Sequence, residues 1–155
     1  MLPKFRAMVI RPDLLPNCLL YLEGQRWITI DDLIVPDKEI TGDAEGWTYA
    51  STVSWFFLLI NLGALDLETL GQWTGQTDKN GKDIYEGDIL RHTDEYLDNL
   101  LEYTNFEACW SRIFSGYYLK SIDDKGDLEY DSPFGISPIE IIGTIHDKEA
   151  IDNAK

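Results

Sequence analysis

Apolar residues occur along this chain in short clusters broken by glycine, proline and acidic residues, a pattern that predicts more strand and turn than helix. Lys4–Arg11 (KFRAMVIR) reads as an extended segment that opens a sheet, and Pro12 ends it because proline donates nothing to a ladder. Leu19–Glu23 and Arg26–Ile30 read as hairpin arms around Gly24-Gln25, with β-branched Ile28, Thr29 and Ile30 on the second arm. Ile34-Val35-Pro36 is a further extended piece, followed by the polar, glycine-rich loop Thr41–Gly46. Trp47–Leu62 is harder, because the run Trp55–Ile60 is too short for periodicity to separate a buried helix from a core strand. Asn61-Leu62-Gly63 reads as a helix stop and favours the helix.

The segment Gly71–Leu90 reads GQWTGQTDKNGKDIYEGDIL. Asn80-Gly81 predicts a type I′ turn, which needs positive φ at both central residues, with Thr77–Lys79 and Lys82–Tyr85 as arms. Gly87-Asp88 marks a second tight turn. Thr93–Tyr103 (TDEYLDNLLEY) predicts a helix capped by Thr93, with Asp94 and Glu95 at its positive end and Tyr96, Leu97, Leu100 and Leu101 on one face. Strands are expected over Phe106–Phe114, Tyr117–Ile122 and Ile139–Ile145, with a turn at Asp124–Asp127 and a polar, short-helical tail over Asp147–Ala154. The fold class is therefore α+β, with an N-terminal αβ part over 1–70 and a mostly β part over 71–155 carrying one inserted helix near 93–103.

The 155 residues and a hydrophobic share of 44% suffice for a core without disulfides or metal. Cys18 and Cys109 sit beside apolar residues and are expected to be buried, reduced thiols. The start Met1–Arg6 lacks the apolar stretch of a secretory leader, and the longest apolar run, Trp55–Ile60, falls far short of the roughly 20 residues of a membrane span. The expected location is the cytoplasm. With 28 acidic against 13 basic residues the formal net charge is −15, which disfavours direct binding to nucleic acid and to anionic membranes. It leaves three readings: solubility, steering toward a basic partner, or imitation of a nucleic acid's charge.

Leu70–Leu90 carries a resemblance. Thr74-Gly75, Asp78-Lys79-Asn80-Gly81-Lys82 and Ile84-Tyr85-Glu86-Gly87-Asp88-Ile89 resemble the signature of the YopX family of phage and prophage proteins. Lys4-Phe5-Arg6-Ala7 resembles the family's opening motif, and Ile141–Asp147 (IIGTIHD) its closing one, which more often reads IGNIYE. Asp43–Ala64 and Thr93–Tyr103 depart from the family pattern and resemble insertions. The resemblance implies a phage origin, a small-barrel-like C-terminal part and self-association, and it carries over no enzymatic activity.

Candidate chemistry is sparse. Asp78, Asp83, Glu86 and Asp88 are the residues a metal-dependent enzyme would use, against the simpler reading that they form turns. In the calcium-loop comparison Gly81 falls at the fourth position, where an EF-hand needs glycine at the sixth. His92 and His146 lie at no zinc-ligand spacing to cysteine, and Ser111 or Ser115 beside His92 makes no recognisable nucleophile pair. No phosphate loop is present. No cofactor is expected. The signature residues Thr74, Gly75, Asp78, Asn80, Gly81, Tyr85, Glu86, Gly87 and Asp88 read as structural.

Two acidic groups remain, Asp31–Glu45 and the face of Asp94, Glu95, Asp98 and Glu102 with nearby Glu107, both most simply solvated surfaces. With Trp47, Tyr49, Trp55 and Phe56 as an apolar anchor, they form the candidate interaction surface. The functional expectation is a non-enzymatic protein-binding module. The alternative is an acidic inhibitor, imitating nucleic acid, of a basic host nucleic-acid or defence enzyme. A metal-dependent enzyme ranks third.

Overall fold

The computed structural model describes residues 4–15, 24–33, 49–93, 103–111, 116–122 and 139–154. The chain packs into two compact units, 2–72 and 73–155. Among the described residues it is mostly β, with two α-helices.

In the N-terminal unit, β1 (Phe5–Val9) is the central strand. It pairs antiparallel with β2 (Trp27–Thr29) on one side and with the first part of β3 (Leu65–Thr77) on the other. Pro12 does more than end β1. It opens a 3₁₀ turn, Pro12–Leu14, at the first helical position, where a missing N–H costs nothing. The second arm of the expected hairpin is β2, paired with β1, while Leu19–Glu23, Ile34–Pro36 and Thr41–Gly46 lie outside the described residues. After β2 a 3₁₀ turn, Ile30–Leu33, forms where Asp32 Oδ2 accepts the Thr29 N–H at 2.8 Å.

The ambiguous apolar run is helix α1 (Tyr49–Asn61). Its end decides the matter. Gly63 adopts φ +79°, its N–H donates to Ile60 O at 3.0 Å, and the Ala64 N–H donates to Leu59 O at 3.0 Å. This pair of bonds is a Schellman stop, which satisfies carbonyls the helix leaves over and turns the chain into β3. The inner face of α1 buries Phe56, Leu59 and Ile60 against Ala7, Ile28, Ile30, Leu33 and Leu65. Full burial of such a side chain contributes about 1.5–3 kcal/mol.

In the C-terminal unit, the last part of β3 pairs with β4 (Asp83–Tyr85). Strands β5 (Asp88–Thr93), β6 (Tyr103–Ser111), β7 (Gly116–Ser121) and β8 (Ile139–Thr144) form an antiparallel sheet in the order β7-β6-β5-β8. This sheet curls into a half-barrel. Its core is Ile84, Leu90, Phe106, Ala108, Leu119 and Ile139. The polar tail is helix α2 (Lys148–Ala154), whose last carbonyl, at Ala154, accepts from Asn105 Nδ2 on β6 at 2.9 Å.

The expected helix over Thr93–Tyr103 needs correction at both ends. Thr93 and Tyr103 face each other as the last pair of the β5–β6 ladder, so both are strand residues. Residues 94–102 and 123–130 lie outside the described residues, which takes in the expected turn Asp124–Asp127. The β-branched Thr93 and aromatic Tyr103 suit a pleated pair, and ladder pairing overrides the capping signal that Thr93 carries.

Candidate functional site

The signature segment is built around one carboxylate. Asp78 is 7% exposed. Its Oδ1 accepts the N–H of Asn80 at 2.8 Å and of Lys82 at 2.9 Å, and its Oδ2 accepts the N–H of Ile141 on β8 at 3.3 Å. Burial pushes the Asp78 carboxyl up, but the N–H groups of Lys82, Ile141 and Asn80 outweigh it and hold the group below its usual value. The same turn is fastened to β8 by the Lys79 N–H, which donates to Ile139 O at 2.8 Å, and by the ion pair Lys79 Nζ–Glu140 Oε2 at 2.7 Å.

This arrangement moves the expected turn by one residue. The Gly81 N–H donates to Asp78 O at 2.9 Å and the Asp78 N–H to Lys82 O at 2.8 Å, so Lys79 and Asn80 are the central residues. A two-residue turn centred on Asn80-Gly81 would close on Lys79, whose N–H belongs to Ile139. Gly81, at φ +79°, supplies the left-handed residue that brings the chain back into β4. Asp78 selects this form because its side chain captures the two N–H groups that the tighter turn would use differently.

Thr74 and Gly75 make an irregularity in β3. Trp73 pairs with Tyr85 and Thr77 with Asp83, so Thr74, Gly75 and Gln76 face Ile84 alone. Gly75 takes φ +87°. The Thr74 hydroxyl donates to Ile84 O at 2.9 Å, and Trp73 Nε1 donates to Gln76 O at 3.1 Å. At the second turn, Asp88 is fully buried and its Oδ2 accepts the Tyr85 N–H at 2.8 Å. Gly87, at φ +83°, donates to Ala108 O and accepts from the Ile145 N–H, so this one residue ties β6 to the end of β8. Glu86 is half-buried beside it, close enough to act with burial in pushing the Tyr117 phenol up to about 12.

These contacts decide what the carboxylates can do. Asp78 has three backbone donors and Asp88 at least one, so a cation there would have to displace hydrogen bonds that form the turns. Among the described residues no three His, Cys, Asp or Glu side chains are arranged to hold a metal ion. Cys109, paired with Tyr118 across β6 and β7, is half-buried rather than buried. Burial first, and then Glu107, pushes its thiol up to about 12, the wrong direction for a nucleophile. His146 sits in the turn after β8, with its Nε2 3.4 Å from where a Cβ on Gly87 would stand.

The interaction candidates divide. Asp94, Glu95, Asp98, Glu102 and Trp47 lie outside the described residues, as does the expected buried thiol Cys18. Tyr49 opens α1, and Trp55 lies on its outer face, 38% exposed, whereas Phe56 is wholly buried. The structure adds residues that sequence reasoning passed over. Leu58 follows Trp55 at helical spacing on the same outer face, and Leu62 follows at the helix end, where its N–H donates to Leu58 O at 2.9 Å; they are 45% and 57% exposed. Ile10 and Leu14 after β1 and Leu67 in β3 are also exposed. Among the described residues, six of the seven large exposed hydrophobics thus belong to the N-terminal unit, and Trp110 alone to the other. The signal was available: α1 is apolar on nearly every side and carries no charge, more than a single buried face requires.

The chain belongs to the YopX family, whose profile, described as YopX protein, matches residues 23–150. The match takes in the signature segment and the closing motif, and the resemblance at Lys4–Ala7 lies outside it. No curated protein matches the chain. No helix among the described residues is long and apolar enough to cross a membrane.

Proposed function

We propose that this is a non-enzymatic phage or prophage accessory protein that acts in the host cytoplasm by binding another protein, with self-association as part of its assembly. One observation carries the reading: the uncharged helix α1 buries one face and leaves Trp55 and Leu58 exposed on the other, with Leu62 exposed just past its end. Exposed apolar side chains grouped on one element, rather than scattered singly, are what an interface uses. The C-terminal unit, taken as the family's small barrel, supplies the scaffold, since the signature residues hold its turns. The test is affinity capture from host lysate with the tagged chain and with a Leu58→Glu/Leu62→Glu variant of unchanged circular dichroism. A partner retained in near-equal amount by the first and lost by the second supports the reading. The same partner retained by both refutes it.

The net charge of −15 favours a second reading, an inhibitor of a basic nucleic-acid or defence enzyme that imitates a phosphate backbone. Inhibition that fades with salt and with Asp98→Lys plus Glu102→Lys is the expected result, and inhibition indifferent to both refutes it.

A further inference from the structure

Strand β3 leaves its ladder in a way that puts a leucine on display. Arg6 pairs with Gly71 and Met8 with Asp66, so Ala7 alone on β1 faces residues 67–70 of β3. The three extra residues form a tight, well-bonded excursion. The Thr69 hydroxyl donates to Asp66 O at 2.7 Å, Asp66 Oδ1 accepts the Glu68 N–H at 3.0 Å, and the Met8 N–H donates to Thr69 Oγ1 at 2.8 Å. Thr69 thereby takes the place of the ladder carbonyl that Met8 would otherwise find. Thr69 is buried and Leu70 packs on the core, while Leu67, at the tip, is 62% exposed, the most exposed large hydrophobic among the described residues.

The excursion lies in the same unit as the outer face of α1. Ala64, three residues before Leu67, accepts the N–H groups of both Ile10 and Arg11 at 3.0 and 3.2 Å. The end of α1 with Leu62, the end of β1 with Ile10 and the start of β3 therefore meet at one place in the N-terminal unit. The charges there are unequal. Arg11 is held in a two-pronged pair with Asp13, at 2.9 and 2.7 Å. Asp66 and Glu68 flank Leu67 and contribute two carboxylates, and α1 contributes no charge.

We infer that Leu62, Leu67 and their neighbours form a docking surface for a partner whose apolar face is edged with lysine or arginine, in the manner of a basic amphipathic helix. This rests on the protein-binding reading above and names the chemistry of the partner. A leucine between two carboxylates fits an apolar pocket with a cationic rim, where rim charges set specificity and encounter rate. A second copy of this chain fits this surface worse, because through the same face it would bring its own Asp66 and Glu68 to meet their like.

The test uses the full chain and three synthetic 14-residue amphipathic helical peptides: leucine face with lysines, the same leucine face with glutamines, and serine face with the same lysines. Calorimetric titration is expected to show the lysine–leucine peptide bound at least tenfold more tightly than either other peptide. Leu67→Ser should weaken it at least tenfold. Asp66→Asn with Glu68→Gln should reduce it to the level of the glutamine–leucine peptide. Equal binding of the two leucine peptides, lost with Leu67→Ser, overturns the basic-partner inference and leaves apolar docking standing. Binding that follows lysine alone and ignores Leu67→Ser removes both. Failure of all three peptides to bind overturns the inference, as does a wild-type dimer in sedimentation that Leu67→Ser dissociates.

Discussion

A carboxylate taken out of water is costly unless donors replace the water, and Asp78 is given three. Two come from its own turn and one from β8, so this side chain joins elements 63 residues apart in sequence. Asp78→Ala leaves three N–H groups without their acceptor and is expected to cost about 2–4 kcal/mol. Urea denaturation measures the loss, and hydrogen exchange at Lys82 and Ile141 locates it. The pH dependence has a definite sign. The folded value lies below the usual 3.8, so the stabilisation is present above that value and fades as pH falls through the lower, folded one. The stability gap between wild type and Asp78→Asn should therefore be widest above about pH 4 and narrow in stronger acid. A gap constant down to pH 2.5 would contradict the assignment. At Cys109 a thiol pushed up to about 12 predicts alkylation at pH 8 at least ~100-fold slower than free cysteine, read in a Cys18→Ser background.

At the scale of elements, α2 is seated by a small-residue contact. A Cβ on Gly143 would stand 2.5 Å from the Ala150 Cβ, far inside the contact distance of two non-bonded carbons. Gly143→Ala should push α2 off β8 and cost about 1–3 kcal/mol. Ala150→Gly alone should cost about 1 kcal/mol as a helix-interior glycine. Added to Gly143→Ala it should restore stability, so the double variant melts above the Gly143→Ala single variant. Melting below both singles would mean that α2 is held elsewhere, for instance by Asn105 at Ala154. The same elements show what a sequence discloses. The strand before Pro12, the stop at Gly63 and the turn at Gly87 were legible because each depends on one residue's backbone chemistry. The placement of the Asp78–Lys82 turn was not, because it depends on a hydrogen bond from Ile141, far along the chain. Nor was the excursion at 66–69, since Asp66-Leu67-Glu68-Thr69 alternates like a strand and only its mismatch with β1 reveals three extra residues. The signature was readable as turn chemistry, and the uncharged, nearly all-round apolar α1 signalled more than one apolar face, but which of its residues stay exposed was not readable, because apolar residues look alike whether they meet a core or a partner.

For the whole molecule, the excess of 28 acidic over 13 basic residues works against compactness. Opposing this are ion pairs such as Lys4–Asp31 at 3.0 Å and Lys79–Glu140 at 2.7 Å, all partly exposed and each contributing between nothing and about 1 kcal/mol. Salt weakens both terms, but the repulsion sums over every acidic residue while each pair is a local, partly exposed contact, so screening should favour the fold. Raising NaCl from about 20 to 500 mM shrinks the screening length from roughly 20 Å to about 4 Å and should raise the melting midpoint by about 3–5 °C. A falling midpoint would mean that local pairs dominate. Asp152 separates this general effect from a local one. It is exposed in the last turn of α2, where the helix end is already negative. Asp152→Lys removes a like charge from that end and reduces the net negative charge by two, from −15 to −13, so it should stabilise the chain by about 0.5–1 kcal/mol at low salt. Asp152→Asn keeps the local relief but makes half the change in charge. If repulsion across the whole chain matters, the lysine variant should exceed the asparagine variant at 20 mM NaCl, and the two should converge at 500 mM as the long-range term is screened.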